Sequence, residues 1–350
     1  MKPLLRTRKQ PCASRSLGKA VGVVSDGSAL LGPGNIGPSA AIPVMEGNAM
    51  LFKEFAGIHA WPICIDTQDA AEIIETVRRI APVFGGINLE DFGAPKCFQI
   101  EDALQDLGIP VFHDDQHGTP IVLLTALINA SRVVDRPLET LSVVINGAGA
   151  AGTAIAKLSR CVGQDSDVCI PVKHIAVCDS KGAIHAGRTD LNPQKEALLA
   201  FTNLEKREGI LTDVLQRANV LFNVSKGNLI GAPEVQSMAD RPIILAMANP
   251  TPEIMQDVAR KAGTAVVGIG RSDFPNQVNN MLAFPGIFRG ALDAGATGST
   301  ESMNIAAAMA LTDADETPSA EQILPDPLDL SVAPRIAAAV STAWEAEIGL

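Results

Sequence analysis

The sequence predicts an α/β chain of two domains: an N-terminal α/β domain and a C-terminal Rossmann-type, doubly wound parallel sheet. Three observations carry this. Apolar runs of strand length alternate with stretches of helical spacing along most of the 350 residues. Acidic clusters close two of the early runs. A glycine-rich turn joins one later run to the helical stretch after it. With 47% hydrophobic residues, each domain has enough apolar surface for its own core.

In chain order, strands are expected at Ala20 to Val24, Pro62 to Ile65, Gly85 to Leu89 and Pro110 to Phe112, with helices at Gln68 to Ile80 and Glu101 to Leu107. Thr119-Pro120 then reads as an N-cap followed by a first-turn proline, opening a helix with Ile121, Leu124 and Ile128 on one face. This places the domain boundary near Gly118, with residues 1–118 in the first domain and 119–350 in the second. The second half repeats the rhythm: a strand over Leu141 to Asn146, a helix after Gly152, and strands at Ile175 to Cys178, Val220 to Asn223, Ile243 to Met247 and Thr264 to Val267. An alanine-rich helix from about Ala333 to Glu347 closes the chain, and Thr312 to Gln322 reads as loosely ordered.

The net charge of −11 excludes nucleic acid as a partner, because phosphate binding needs a clustered basic face. No apolar stretch reaches the ~18 residues of a membrane span. The six cysteines form no Cys-x-x-Cys pair and several lie in apolar runs, as reduced thiols of a cytoplasmic protein would. Lys2, Arg6, Arg8, Lys9 and Arg15 read as a frayed basic terminus rather than a presequence.

Two acidic clusters follow strand-like runs: Glu90-Asp91 after Gly85 to Leu89, and Asp114-Asp115 after Pro110 to His113. Carboxylates crowded at neighbouring strand ends raise one another's pKa unless a cation neutralises them, and Glu90, Asp91 and Asp115 offer hard oxygen ligands for Mg²⁺ or Mn²⁺. Gly147-Ala148-Gly149-Ala150-Ala151-Gly152 lies between a strand and a helix, the context of a dinucleotide turn. There Gly147 permits the turn, Gly149 lets a pyrophosphate approach, and Gly152 lets helix and strand close. Asp179, ending the next strand, is placed to accept from an adenine-ribose hydroxyl. Gly32 to Gly37 matches the same spacing but lies beyond its nearest strand, and reads as a tight backbone loop.

These segments resemble the malic enzymes in their short bacterial form, over about Val23 to Glu347. The resemblance rests on Ser25-Asp26-Gly27, Leu31 to Gly37, Pro43 to Gly47, Phe84 to Pro95, Pro110 to Gly118, Cys178 to Gly182, Ala248-Asn249-Pro250-Thr251-Pro252-Glu253-Ile254 and Gly270 to Asn280. It implies metal-dependent oxidative decarboxylation of L-malate to pyruvate and CO₂ with NAD or NADP, in a homo-oligomer such as a dimer. It also implies metal ligation by Glu90, Asp91 and Asp115, Asp114 beside the reacting centre, and substrate contacts from Asn249 and Asn280. Asp179 favours a free 2′-hydroxyl, while Lys181 and Lys195 can approach a 2′-phosphate, so NAD and NADP both stay open.

The sequence departs from the family at its two proton-transfer groups. Asn48 stands where the family has its general-base lysine, and the chain contains no tyrosine, whereas the family uses one near its N-terminus. The first domain accordingly reads as truncated ahead of its first strand. An amide does not take a hydroxyl proton at neutral pH, and losing a general base costs ~10²–10⁴-fold. The expected function is therefore an impaired malic enzyme or, alternatively, a non-catalytic nucleotide- or dicarboxylate-binding relative or partner subunit. Lys53, Glu46, His113 and His117 are weaker candidates for the missing groups.

Overall fold

The computed structural model describes residues 20–30, 34–162 and 170–349. The basic stretch from Lys2 to Arg15 and the pair Gly32-Pro33 lie outside these residues. Contacts divide the chain into two compact units, residues 1–115, 281–307 and 330–350 in one, and 116–280 and 308–329 in the other.

The first unit opens with β1 (Ala20–Ser25), α1 (Pro38–Ala56), β2 (His59–Cys64), α2 (Ala70–Ile80), β3 (Gly86–Leu89), α3 (Lys96–Leu104) and β4 (Val111–His113). The strands form a parallel sheet in the order β2-β1-β3-β4. Strands β1, β3 and β4 are buried along their whole length, as parallel strands covered on both faces must be. β2 lies at the edge, where Pro62 leaves no ladder bond unmade. The strands fall within a few residues of their expected places. Helix α1 was not expected, because Pro43 and Gly47 interrupt its pattern. Pro38 starts it behind Gly37, and Gly57 ends it in the left-handed region with its N–H on the Lys53 and Phe52 carbonyls. Asp69 caps α2 by accepting from the Ala71 and Glu72 amides. From Gly34 to Gly37 the chain makes the tight backbone turn expected there: the Ile36 and Gly37 amides both donate to the Gly27 carbonyl.

Helix α4 (Asp114–Val134) begins directly after β4, five residues ahead of the expected Thr119-Pro120 start, and carries Pro120 in its interior. The second unit follows: β5 (Ser142–Asn146), α5 (Ala150–Ser159), β6 (His174–Asp179), β7 (Gly182–Ala183), α6 (Pro193–Leu198), α7 (Leu211–Val214), β8 (Val220–Asn223), α8 (Ala232–Ser237), β9 (Ile243–Ala246), α9 (Gln256–Lys261) and β10 (Val266–Ile269). The sheet order is β10-β9-β8-β5-β6-β7, parallel except for β7. This is the expected doubly wound sheet. The chain leaves β5 in one direction for β6 and later returns to its other side with β8. That creates a switch point at the carboxyl ends of β5 and β8, where such sheets bind ligands.

Helices α10 (Phe284–Asp293), α11 (Glu301–Thr312) and α12 (Val332–Glu347) complete the chain. By contact, α10 and α12 group with the first unit. The reason is packing. Gly286 and Gly290 on α10 leave room only for hydrogen, since a Cβ there would sit 2.9 Å from the Ala333 carbonyl oxygen and 2.4 Å from that of Ala337. Phe284 and Phe288 stack on Phe52 of α1 at centroid distances of 4.8 and 5.3 Å, and Phe288 meets Phe112 at 5.7 Å. Among the described cysteines, Cys64, Cys97 and Cys178 are free thiols, as the apolar runs lead one to expect of several, but Cys161 is disulfide-bonded. Among the described residues no helix is long and apolar enough to cross a membrane.

Candidate active site

The first unit gathers the four acids at the carboxyl edge of its sheet. β3 and β4 pair in register, Leu89 beside His113, so the chain emerges at Glu90 and Asp114 on adjacent strands. Glu90 is tied to the sheet through its N–H on the Val24 carbonyl, and the Asp91 carbonyl accepts from Ala29. Asp91 takes a left-handed φ of 58°, an uncommon conformation for a residue with a side chain, at the point where the strand turns away. Asp114 and Asp115 form the first turn of α4, where the helix dipole favours negative charge. Glu90, Asp91 and Asp114 are buried.

Crowding shows in the protonation of Glu90. Burial first, then the charges of Asp114, Asp91 and Asp115, push its carboxyl well above the usual range, against a lowering hydrogen bond from the Asn88 amide at 2.7 Å. The side-chain carbonyl oxygen of Asn88 is itself buried without a hydrogen-bond partner. Hard oxygen donors that repel one another at a largely buried sheet edge fit a divalent cation chemically. Among the described residues, no three His, Cys, Asp or Glu side chains already stand in a metal-holding arrangement.

Asn48 lies on α1 between the core residues Met45 and Phe52, half-buried. Lys53, one of the candidates for the missing base, is exposed, with Nζ 3.4 Å from His59 Nε2. His113 ends β4 fully buried and donates its backbone N–H to Glu101. A cation that the sequence reading passes over, Lys96, pairs with the buried Asp26.

In the second unit the Gly147–Gly152 turn has the form its spacing implies. Gly147 has φ 128°, and a Cβ there would come within 2.6 Å of the Val224 carbonyl oxygen. A Cβ on Gly152 would lie 1.7 Å from the Gly147 oxygen, so helix and turn close only on glycine. Gly149 is different. It is exposed, caps α5, and a Cβ there would meet nothing within 4 Å, which leaves open space over the helix N-terminus for a pyrophosphate. Ala148, Ala150 and Ala151 fill the other positions with side chains small enough to keep that approach free. These residues fit a dinucleotide.

Asp179 ends β6 beside this turn, where the Gly147 N–H donates to the Cys178 carbonyl. Its carboxylate is already engaged. Oδ1 accepts from Arg188 Nη1 at 2.8 Å and the Lys181 N–H at 2.9 Å, and Oδ2 accepts from Arg188 Nη2 at 3.0 Å and Lys195 Nζ at 2.6 Å. These bonds use its four acceptor sites. Burial raises the carboxyl, but the bonds from Arg188, Lys195 and the Lys181 amide outweigh it and hold it at about 2. Arg188 also grips Asp190 at 2.9 Å, and Lys181 reaches Asp190 at 2.6 Å. Sequence reasoning finds Asp179, Lys181 and Lys195 but misses Arg188. Its nine-residue separation from Asp179 across the β6–β7 hairpin gives no periodic signal.

Asn249 follows β9 on an exposed turn, and Asn280 starts a short 3₁₀ turn at Asn280–Leu282. Arg271 Nη1 donates to the Pro250 carbonyl at 2.7 Å while its fork holds Asp273, so the Asn249 turn is tied to the segment leading to Asn280. A polar network that the sequence reading does not pick out lies behind this turn. Asn146 Nδ2 donates to Asn223 Oδ1 at 2.6 Å and to Ser225 Oγ at 2.9 Å, and the Ser225 amide donates to the buried Glu253.

Comparison with known proteins fixes the family. The "Malic enzyme, N-terminal domain" family matches residues 13–105 and the "Malic enzyme, NAD binding domain" family matches residues 116–344. The chain belongs to the malic enzyme family. It is 52% identical over 330 residues to the bifunctional malic/malolactic enzyme of Bacillus subtilis, covering 93% of this chain and 78% of that protein. It is also 52% identical over 292 residues to the NAD-dependent malic enzyme of Geobacillus stearothermophilus, covering 83% of this chain and 59% of that one. The crystal structure of the NAD-dependent malic enzyme from Thermotoga maritima superposes with a TM-score of 0.88 at 44% identity, over 93% of this chain and 85% of that chain. Relatives named NADP-dependent malic enzyme also match, including that of Halomonas elongata at 44% identity.

Proposed function

We propose that this malic enzyme family chain carries out the oxidative decarboxylation of L-malate to pyruvate and CO₂ with reduction of NAD⁺ or NADP⁺, at a rate limited by proton transfer. The observation that carries the reading is the buried acid cluster around Glu90, in a chain that both malic enzyme families match in order. The Gly147–Gly152 turn would hold the dinucleotide, which would serve as hydride acceptor, and Glu90, Asp91 and Asp115 would hold Mg²⁺ or Mn²⁺, which would serve as Lewis acid. Asn249 and Asn280 orient the substrate carboxylates with neutral amide donors, which suits anions bound alongside protein acids. Asp114, buried at the start of α4, lies beside the reacting centre on this reading.

Two proton transfers remain for the protein: removal of the malate hydroxyl proton as C2 is oxidised, and delivery of a proton to C3 after the C3–C4 bond breaks. Asn48 accepts no proton at neutral pH, and the chain contains no tyrosine for the second transfer. Decarboxylation of oxaloacetate bypasses the first transfer, so it is expected to survive better than turnover of malate. The test is dinucleotide reduction by malate with Mn²⁺ in the wild type and in Asn48→Lys. A gain of ~10²-fold or more is expected, and no gain refutes the assignment of Asn48 to the base position.

A second reading, a relative that binds dinucleotide and dicarboxylate without turnover, is favoured by the same Asn48. Calorimetric binding of NAD⁺ or NADP⁺ and malate without product formation would select it.

A further inference from the structure

The carboxyl edge of the six-stranded sheet holds one buried acid that neither the metal cluster nor the cofactor turn uses. Glu253 is fully buried, and each of its oxygens accepts a backbone N–H from a different loop: Oε1 from Ser225 at 3.1 Å and Oε2 from Ala248 at 3.0 Å. Its own carbonyl accepts from Leu229 and Ile230 at 3.0 and 3.2 Å. Backbone meets backbone between these loops. A Cβ on Gly227 would lie 2.4 Å from the Thr251 oxygen, and the Asn228 amide donates to the Pro252 carbonyl at 3.1 Å.

The Ser225 loop also backs the glycine turn. Val224 supplies the carbonyl that forbids a side chain at Gly147, and Ser225 Oγ accepts from Asn146 at the end of β5. Ala248, at the other end of the bridge, is the residue before Asn249. One side chain therefore spans from the loop behind the dinucleotide turn to the turn that carries a substrate amide.

We propose that Glu253 is a positioning residue that fixes Asn249 relative to the Gly147–Gly152 turn, so that substrate amide and dinucleotide loop keep a set spacing. This rests on the malate reading above. The chemistry calls for a carboxylate. An ionised carboxylate accepts at both oxygens, whereas a glutamine turns an NH₂ toward one of the two amides and leaves a buried N–H facing another N–H. Burial pushes the Glu253 carboxyl up to about 7, and the amides of Ala248, Glu253 and Ser225 act against that rise.

The test uses the full chain with Mn²⁺. Malate dissociation constants are measured by calorimetry, with NAD⁺ and NADP⁺ in turn, for the wild type, Glu253→Gln, Asn249→Ala and the double variant. Glu253→Gln is expected to weaken malate about tenfold, the loss of one charge-assisted hydrogen bond. Asn249→Ala should then cost much less on top of Glu253→Gln than in the wild type, because the amide is already displaced. A general loss of stability would not produce that coupling. If the two effects simply multiply in a wild type that binds malate, Glu253 does not position Asn249. If the wild type binds neither dinucleotide nor malate, the malate reading falls and takes this proposal with it. Amide exchange in the unaltered protein decides the bridge even where Glu253→Gln does not fold. The Ser225 and Ala248 amides should exchange slowly and together, and rapid exchange at either one overturns the proposal.

Discussion

Two glycines three residues apart should respond in opposite ways to the same added methyl group. At Gly152 a Cβ would lie 1.7 Å from the Gly147 oxygen, and real contacts of this kind do not fall below 3.0 Å, so the turn or α5 must retreat by more than 1 Å. The obstacle is backbone. Overpacking of this severity costs about 3 kcal/mol, at the upper end of the usual range, and for a unit of this size lowers Tm by roughly 6–12 °C. At Gly149 the backbone has φ −88° and ψ −161°, which alanine adopts freely, and the added Cβ meets nothing. The small loss at a helix N-cap, where alanine is poor, offsets a gain of about 0.4–1 kcal/mol from the stiffer unfolded chain, so stability should change by less than about 1 kcal/mol. The methyl would nonetheless stand where a pyrophosphate has to reach the amides of α5, and losing one or two charge-assisted hydrogen bonds weakens binding by roughly 10–10³-fold. Thermal melts and calorimetry with NAD⁺ and NADP⁺ on both variants check this. A Gly149→Ala protein of native stability that still binds dinucleotide as the wild type does would refute the placement of the pyrophosphate over this turn.

Removing a cation beside Asp179 should shift cofactor choice: Lys195→Ala vacates one acceptor site on Oδ2 and one positive charge, so binding of 2′,5′-ADP should weaken relative to 5′-AMP by severalfold, and an unchanged ratio would take Lys195 out of cofactor selection. Asp179 should also mark the acid side of the stability curve. Its carboxyl lies at about 2 in the folded chain against 3.8 unpaired, so its contribution is fully present above 3.8 and disappears as pH falls through about 2, and Asp179→Asn should flatten the acid denaturation profile in that window, with an amplitude held small by solvent screening. Glu90→Gln removes a charge from the crowded acids; the metal-free protein should melt at a higher temperature than wild type while losing most of the rise that Mn²⁺ confers, and an undiminished Mn²⁺ effect would exclude Glu90 as a ligand.

Much of this is legible in the sequence because parallel strands are short, apolar and bounded by turn residues. Val220–Asn223 is placed to the residue, and β1, β3, β5 and β9 within one or two at each end. The acids at Glu90 and Asp114 stand out because the chemistry of a parallel sheet sits at the residues just after its strands, which is a local signal. What the sequence hides is non-local. Helix α1 carries a proline and a glycine that tertiary contacts override, with Phe52 held by two rings from α10. The return of α10 and α12 to the first unit depends on glycines 286 and 290 facing the Ala333–Ala337 stretch of α12, and no window along the chain brings those residues together. Arg188 and Glu253 escape notice for the same reason, since each matters for a partner on another segment rather than for any pattern around itself.

On the function proposed above, the residues assigned to binding and the position assigned to proton transfer lie in different surroundings. Burying Glu90, Asp91 and Asp114 together costs desolvation, which shows in the raised Glu90 carboxyl, and so does a polar network of Asn146, Asn223 and Glu253 sealed under two loops, where the Asn223 amide nitrogen has no hydrogen-bond partner. A chain that only needed to fold would be more stable with apolar residues at these positions. Asn48, by contrast, is neutral, half-buried on a helix face, and imposes no such cost. On the function proposed above, the half of the site that costs stability is the half that would hold ligands, while position 48, assigned to the base, is one where a single side chain would change the rate with little effect on the fold. That asymmetry is why restoring lysine at position 48 tests the chemistry without disturbing the binding, and why binding is the property to measure first.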